Sequence, residues 1–194
     1  MKKIQSEPRK YNKWNAKKIF LTFIFSAATF AASFVLGNAI TIAFGPGTSG
    51  IATIVVTTIL VVICAKLVET RGVFTILVTL FTVLAIPTTM FGPPSPLKIL
   101  IGFATGFVYD LVWYLIPSKK FSLPLAAALS TIVSIVLIFF LMSFLSYPKA
   151  DYLRSILYFV IPLYGTLGFL GGVIGEKIYD KSLANLSLIK QLKS

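Results

Sequence analysis

Long apolar segments, separated by short clusters of Gly, Pro or charged residues, are the feature that most constrains this sequence. Each has about 20 residues, the length that a helix needs to span the ~30 Å hydrocarbon core of a bilayer. The sequence predicts six such segments, at 19–44, 51–68, 73–91, 97–116, 124–145 and 152–178. Pro162 is a predicted kink in the last of them.

The composition of these segments decides between helices and strands. The second and third are rich in Val, Ile and Thr, which in water would favour strands. An unpaired strand in a bilayer leaves backbone groups without hydrogen-bond partners, whereas a helix satisfies its own. We therefore predict an all-α polytopic membrane protein: a single transmembrane domain of six helices at 19–181, a basic tail at 1–18 and a C-terminal tail at 182–194.

The distribution of basic residues predicts the orientation of the bundle. Of 18 Lys and Arg residues, 15 fall in the tails and loops on the side of the N-terminus and three on the other side. Cytoplasmic segments of membrane proteins carry the excess of Lys and Arg. Both termini are therefore predicted to be cytoplasmic, in a multi-pass protein of the cell membrane.

Several function classes are disfavoured by the residues that are present. The net charge of +12 comes from tails and helix ends rather than from one basic face, so a lipid bilayer and not nucleic acid is the predicted partner. The chain has no His and one Cys, Cys64, so we predict no enzyme activity and no metal site. GPGTSG at 45–50 lacks the Lys of a phosphate-binding loop, and no cofactor is predicted.

Asp110 is the one acidic residue that lies well within a predicted span. An ionisable group at that depth is costly and is by default a candidate functional residue. Two structural roles compete with this hypothesis. Asp110 would either pair with Lys66 or Lys119, or cap a neighbouring helix.

Polar and basic side chains recur near the outer ends of the predicted helices. Beside aromatic residues, they have the composition of a small-molecule pocket, and two of them are cations that would hold an anionic group. The alternative is that they are ordinary interfacial residues. The candidate substrate-binding residues are Asn38, Thr88, Thr89, Lys98, Arg154, Tyr158 and Tyr164.

Small residues at four-residue spacing predict close helix packing at three places. Gly102 and Gly106 in the fourth span, and the glycines of the sixth, are predicted to pack inside the bundle. In the first span the small residues are Ala27, Ala28, Ala31 and Ala32. Their strip would either pack inside the bundle or face outward and dock the helices of another protein.

These features together resemble a known family. Six spans with cytoplasmic ends, the alanine strip, the stretch GPPSPLKILIGFATGFVYDL at 92–111 and the ending GGVIGEKIYDKSL at 171–183 are similar to the S-components of energy-coupling factor transporters. That resemblance implies a subunit that binds a vitamin-like micronutrient at its outer face. It also implies a membrane coupling protein and cytoplasmic ATPases as partners, with Ala27, Ala28, Ala31 and Ala32 as the docking surface.

Two other functions remain open from the residues alone. The chain would be either a structural or assembly membrane protein without a ligand, or a small carrier that works by itself. The absence of a second buried carboxylate or a His disfavours a proton-driven carrier.

Overall fold

The computed structural model describes residues 13–44, 49–90, 92–116, 121–146 and 150–183. These residues form six α-helices and no strand, which confirms the predicted all-α class. Five of the helices are long and apolar enough to cross a membrane, so the chain is a multi-pass membrane protein. The helices are α1 (Ala16–Phe44), α2 (Ser49–Val68), α3 (Val73–Ala85), α4 (Lys98–Leu115), α5 (Ser122–Phe144) and α6 (Ala150–Ile178), followed by a π-helical turn (Tyr179–Leu183).

The six helices are arranged as a closed ring. Each packs mainly against two neighbours, in the order α1, α2, α6, α5, α4, α3 and back to α1. In addition, α2 makes smaller contacts with α3 and α5. Successive helices run in opposite directions, so the ring has one end that carries the start of α1 and the end of α6. We call this the inner end, and the opposite one the outer end.

An apolar core closes the ring at its inner end. It is built from the last turns of α2 and α4 and the first turns of α3 and α5. At its centre the ring of Phe74 stacks on that of Tyr109, with centroids 3.8 Å apart, and meets the edge of Trp113 at 5.3 Å. Cys64 is buried in the same cluster. Toward the outer end, this core gives way to a cavity in the interior of the ring.

The third helix is shorter than the sequence predicts. It ends at Ala85 instead of reaching residue 91, which lies outside the described residues. Pro87 explains the early end, because proline lacks an N–H and its ring clashes with the carbonyl four residues earlier. The chain continues in tighter turns, with the Thr88 N–H donating to the Ala85 carbonyl at 3.1 Å. At 1.5 Å per residue, the 13 residues of α3 cover about 20 Å, less than a bilayer core.

Asp110 of α4 caps the start of α3. Its carboxylate accepts the backbone N–H of Thr75 at 2.8 Å and that of Phe74 at 3.4 Å, and also the Thr75 hydroxyl at 2.6 Å. The first N–H groups of a helix have no partner within the helix and carry partial positive charge, which a carboxylate satisfies. Of the structural roles predicted for Asp110, capping is the one observed, and Lys119, one of its predicted partners, lies outside the described residues. Lys66 instead pairs with Glu176 at 3.2 Å and Asp180 at 2.7 Å.

Lys98 of the same helix α4 caps the other end of α3. Its fully buried ammonium donates to the carbonyls of Ala85 at 3.1 Å and Thr88 at 2.7 Å. Lys98 and Asp110 are 12 residues apart, about 18 Å along a helix, which matches the length of α3. One helix thus supplies opposite charges to the two ends of its short antiparallel neighbour, in the sense that the helix dipole favours.

Glycines bring the helices close together, as the sequence predicts. A Cβ on Gly106 would lie 2.6 Å from the Cα of Thr75 in α3. In α6, Gly172 faces Pro124 of α5, whereas Gly175 faces Ile59 of α2. The glycines of α6 therefore serve two different neighbours rather than a single one.

The Gly106→Ala variant is expected to lower the stability of the bundle by about 2 kcal/mol. The added methyl would meet the backbone of α3 at Thr75 and at the Phe74 carbonyl, 2.7 Å away, and backbone cannot rotate aside. Thermal unfolding of the purified protein in detergent measures the effect. Val35→Ile, which adds one carbon at an exposed position of α1, is the matched control. Equal melting temperatures for the two variants would contradict the close α3–α4 contact.

Candidate functional site

A cavity of about 90 Å³ lies inside the ring, beyond the apolar core. One face each of α2, α3, α4 and α5 lines it. Its wall toward the inner end includes Val61, Leu77 and Tyr109, which also belong to the core. It extends outward to Thr53, one turn from the outer end of α2. The core therefore closes the cavity toward the inner end, and the cavity extends from there toward the outer end of the bundle.

Ser and Thr residues are frequent in the mostly apolar lining of this cavity, because two helices place them on the same face. From α2 the cavity receives Thr53, Thr57 and Thr58, and from α5 it receives Ser130, Thr131 and Ser134. Residues three and four apart share one face of a helix. The spacing of these residues therefore directs both sets to the interior of the ring.

Several of these hydroxyls donate their hydrogen to a carbonyl of their own helix. Thr131 and Ser130 both donate to the Ala127 carbonyl, at 2.7 Å and 3.0 Å, and Thr53 donates to that of Gly50 at 3.2 Å. A hydroxyl has a single hydrogen but two lone pairs. The hydroxyls of Thr131 and Ser130 can therefore still accept a hydrogen bond from a molecule in the cavity.

Thr105 and Tyr109 of α4 behave differently. Both line the cavity, both are at least nine-tenths buried (8% and 3% exposed), and neither hydroxyl has a hydrogen-bond partner among the described residues. A buried polar group without a partner costs about 1–3 kcal/mol. The hydroxyl of Thr79 is also buried without a partner, but Thr79 does not line the cavity. Such groups are expected where a water molecule or a ligand completes the site.

None of the seven candidate substrate-binding residues lines this cavity. Lys98 instead donates hydrogen bonds to the Ala85 and Thr88 carbonyls at the end of α3. The Thr88 hydroxyl donates to the Ala85 carbonyl at 2.8 Å, and Thr89 is exposed. The structure thus brings Thr88 and Lys98 together, but as part of the support of α3.

The remaining four candidates lie on α1 and α6, outside the cavity. Asn38 is exposed on α1 and donates to the Phe34 carbonyl of its own helix at 2.9 Å. Arg154 is exposed on α6, as is Tyr158. Tyr164 is half-buried, and its hydroxyl lies against Gly50 of α2.

The alanine strip of α1 lies on the outer surface of the bundle. Ala27, Ala28 and Ala31 are exposed, and Ala32 is half-buried. The opposite face of α1 is the one that packs inward, and its buried residues are Lys18, Thr22, Ser26, Thr29 and Ser33.

Hydrogen bonds tie that polar face of α1 to the bundle. The Ser26 hydroxyl donates to the Leu77 carbonyl at 3.2 Å, and the Ser33 hydroxyl shares a hydrogen bond with that of Thr57 at 2.7 Å. The exposed alanines therefore do not serve as internal packing, and the inward face of this helix is polar.

No group of three or more His, Cys, Asp or Glu side chains is placed to hold a metal ion in the described part of the chain. The site that sequence reasoning missed is the hydroxyl-lined cavity. Its signal was present as Ser and Thr at helical spacing in α2 and α5. Comparison of the chain with protein-family models, with curated proteins and with solved structures found no match.

Proposed function

We propose that this protein is the substrate-capture subunit of an ATP-driven importer of a vitamin or related micronutrient in the cell membrane. The observation that carries the proposal is the hydroxyl-lined cavity, with Thr105 and Tyr109 unpartnered within it. Small-molecule sites are concave and mostly apolar, with a few polar groups that fix the orientation of the ligand. The cavity has this composition, and it reaches within one turn of the outer end.

The proposal also requires partners that supply energy and release the substrate. The chain has no nucleotide-binding loop, and its interior is closed toward the inner end by the apolar core. A membrane coupling protein with cytoplasmic ATPases would fill both needs. The outward-facing strip at Ala27, Ala28 and Ala31 supports a docking role, since small side chains let a second helix approach closely.

A liposome experiment separates this proposal from a carrier that works alone. The purified chain, reconstituted by itself, should bind radiolabelled vitamins but should not accumulate them under either a proton or a sodium gradient. Accumulation of a labelled compound by the chain alone would contradict the capture function. Binding of none of them would favour a structural membrane protein.

Enlarging the alanine strip should abolish partner binding and leave ligand binding intact. In the Ala28→Leu and Ala31→Leu variants, the added side chains would hold a docking helix away from α1. Affinity purification of the tagged chain from its native membrane should lose the coupling protein by at least ten-fold. Thr166→Leu, at an exposed position of α6, is the matched control. Retention of the partner by both strip variants would reject the strip as the docking surface.

A further inference from the structure

We infer that the cavity inside the ring binds one uncharged small molecule, whose polar edge forms hydrogen bonds with the hydroxyls of Thr105 and Tyr109. This inference rests on the proposed capture function and specifies the class of its substrate. It differs from the anionic ligand predicted from Lys98 and Arg154, neither of which lines the cavity.

The charge of the ligand follows from the groups around the cavity. No side chain that lines it is charged. The two charged residues of α4 bind to the ends of α3 instead. Lys98 donates to the carbonyls at the end of α3, and Asp110 accepts from the N–H groups at its start. An ionised ligand would be buried without a counter-ion, which is strongly unfavourable. An uncharged ligand does not incur this cost.

The hydrogen-bonding character of the ligand follows from which hydroxyls are already engaged. Thr131 and Ser130 have donated their hydrogens to a backbone carbonyl, so they offer lone pairs. Thr105 and Tyr109 retain both a hydrogen and lone pairs. We therefore expect the ligand to carry at least one acceptor, such as a carbonyl oxygen or a ring nitrogen, together with N–H or O–H donors.

The geometry of α4 places the acceptor-bearing edge of the ligand along that helix. Thr105 and Tyr109 are four residues apart, so their Cβ atoms lie about 5–6 Å from each other on one face. A group that carries both an acceptor and a donor, such as an amide or lactam, can face this side of α4. The other walls include apolar side chains such as Phe81 and Ile101, which would pack on the body of the ligand. The class is thus a small, uncharged, largely apolar compound with an amide-like edge.

The orientation of Tyr109 is fixed before any ligand binds. Its ring stacks on Phe74 within the apolar core, and the residue is 3% exposed. A side chain held in this way loses little conformational entropy on binding, which favours affinity.

The test uses matched pairs of uncharged and charged compounds with the purified full-length chain in detergent. Nicotinamide and nicotinate, uracil and orotate, and indole-3-acetamide and indole-3-acetate are added at 1 mM, and thermal unfolding is recorded. At least one uncharged member should raise the melting temperature by about 5 °C or more, as for a ligand present far above its dissociation constant. Its charged counterpart should raise it by less than 1 °C.

Substitutions then assign the effect to the two hydroxyls. Thr105→Val and Tyr109→Phe remove them with little change of shape. Each should weaken binding of the stabilising compound about ten-fold, the contribution of one hydrogen bond. The melting temperature of the ligand-free variants should be unchanged or higher, because an unpartnered buried hydroxyl is removed. Thr79→Val, which removes an unpartnered hydroxyl outside the cavity, is the matched control and should leave affinity unchanged.

The outcomes separate this inference from the proposed function. Stabilisation by a charged member, with affinity indifferent to Thr105→Val and Tyr109→Phe, would overturn the uncharged ligand and keep capture. No stabilisation by any uncharged member would overturn the inferred site. A lower melting temperature in both ligand-free hydroxyl variants would show that the hydroxyls support the fold and would also overturn it. Accumulation by the chain alone in liposomes would reject the capture subunit even if the cavity binds as inferred.

Discussion

The Asp110→Ala variant is expected to be less stable than the wild type by about 3 kcal/mol. The carboxylate accepts two backbone N–H groups and one hydroxyl at the start of α3, and alanine accepts none of them. Groups that lose a partner away from water retain the full cost of their desolvation. Thermal unfolding in detergent, together with the yield of monodisperse protein, measures the loss.

Asp110→Asn is the matched comparison for this effect. Its amide oxygen still accepts one of the N–H groups, so the expected loss is about half that of Asp110→Ala. A different result would contradict the capping role. If Asp110→Ala melted at the wild-type temperature but no longer supported uptake by the proposed importer, the carboxylate would act in transport instead.

The Lys98→Met variant is expected to lose about 2 kcal/mol of stability without a change in ligand affinity. Methionine fills the space of the aliphatic stem but leaves the carbonyls of Ala85 and Thr88 without their donor. Because Lys98 does not line the cavity, affinity measured well below the melting temperature should stay within two-fold of the wild type.

This prediction also tests the earlier interpretation of Lys98 as an anion-binding residue. Arg154→Met is the control, since Arg154 is an exposed cation on α6 and its loss should not affect stability. A Lys98→Met protein that melts normally but no longer binds a carboxylate-bearing vitamin would restore that interpretation. The same result would contradict the role of Lys98 and Asp110 in stabilising the two ends of α3.

Most of the helical architecture could be predicted from local sequence. Glycine, proline and charge clusters end five of the six helices within three residues of the predicted boundaries. The third is the exception, because the apolar run continues past Pro87 while the helix does not. Hydropathy measures how a segment prefers lipid, whereas the end of a helix depends on a single missing N–H.

The partners of the buried charges could not be predicted, although their cost could. The position of Asp110 within an apolar span predicts a high free-energy cost for its carboxylate, and helix capping is one of its predicted roles. The choice between that role and pairing with Lys66 depends on how α4 lies against α3. This register is set by the close contact at Gly106, which brings the carboxylate level with Thr75. Sequence spacing within one helix does not contain that information.

The residues of the candidate site could be predicted from the sequence even less well than the partners of the buried charges. Polar residues near helix ends are conspicuous in an apolar sequence, yet the ring order directs several of them outward. The Ser and Thr residues of α2 and α5 are individually unremarkable, since each can satisfy its own helix backbone. They form a site only because α2 and α5 both border the interior of the ring, on either side of α6, which no local pattern reveals.

Native mass spectrometry of the chain, released gently from its own membrane, is the measurement that tests the central claim most directly. The account predicts a fraction of molecules carrying one small uncharged compound, in a one-to-one ratio. That adduct should be reduced at least ten-fold in a protein with Thr105→Val and Tyr109→Phe combined. Protein that carries phospholipid alone, or an adduct whose abundance is the same in the double variant, would contradict a capture site inside the ring.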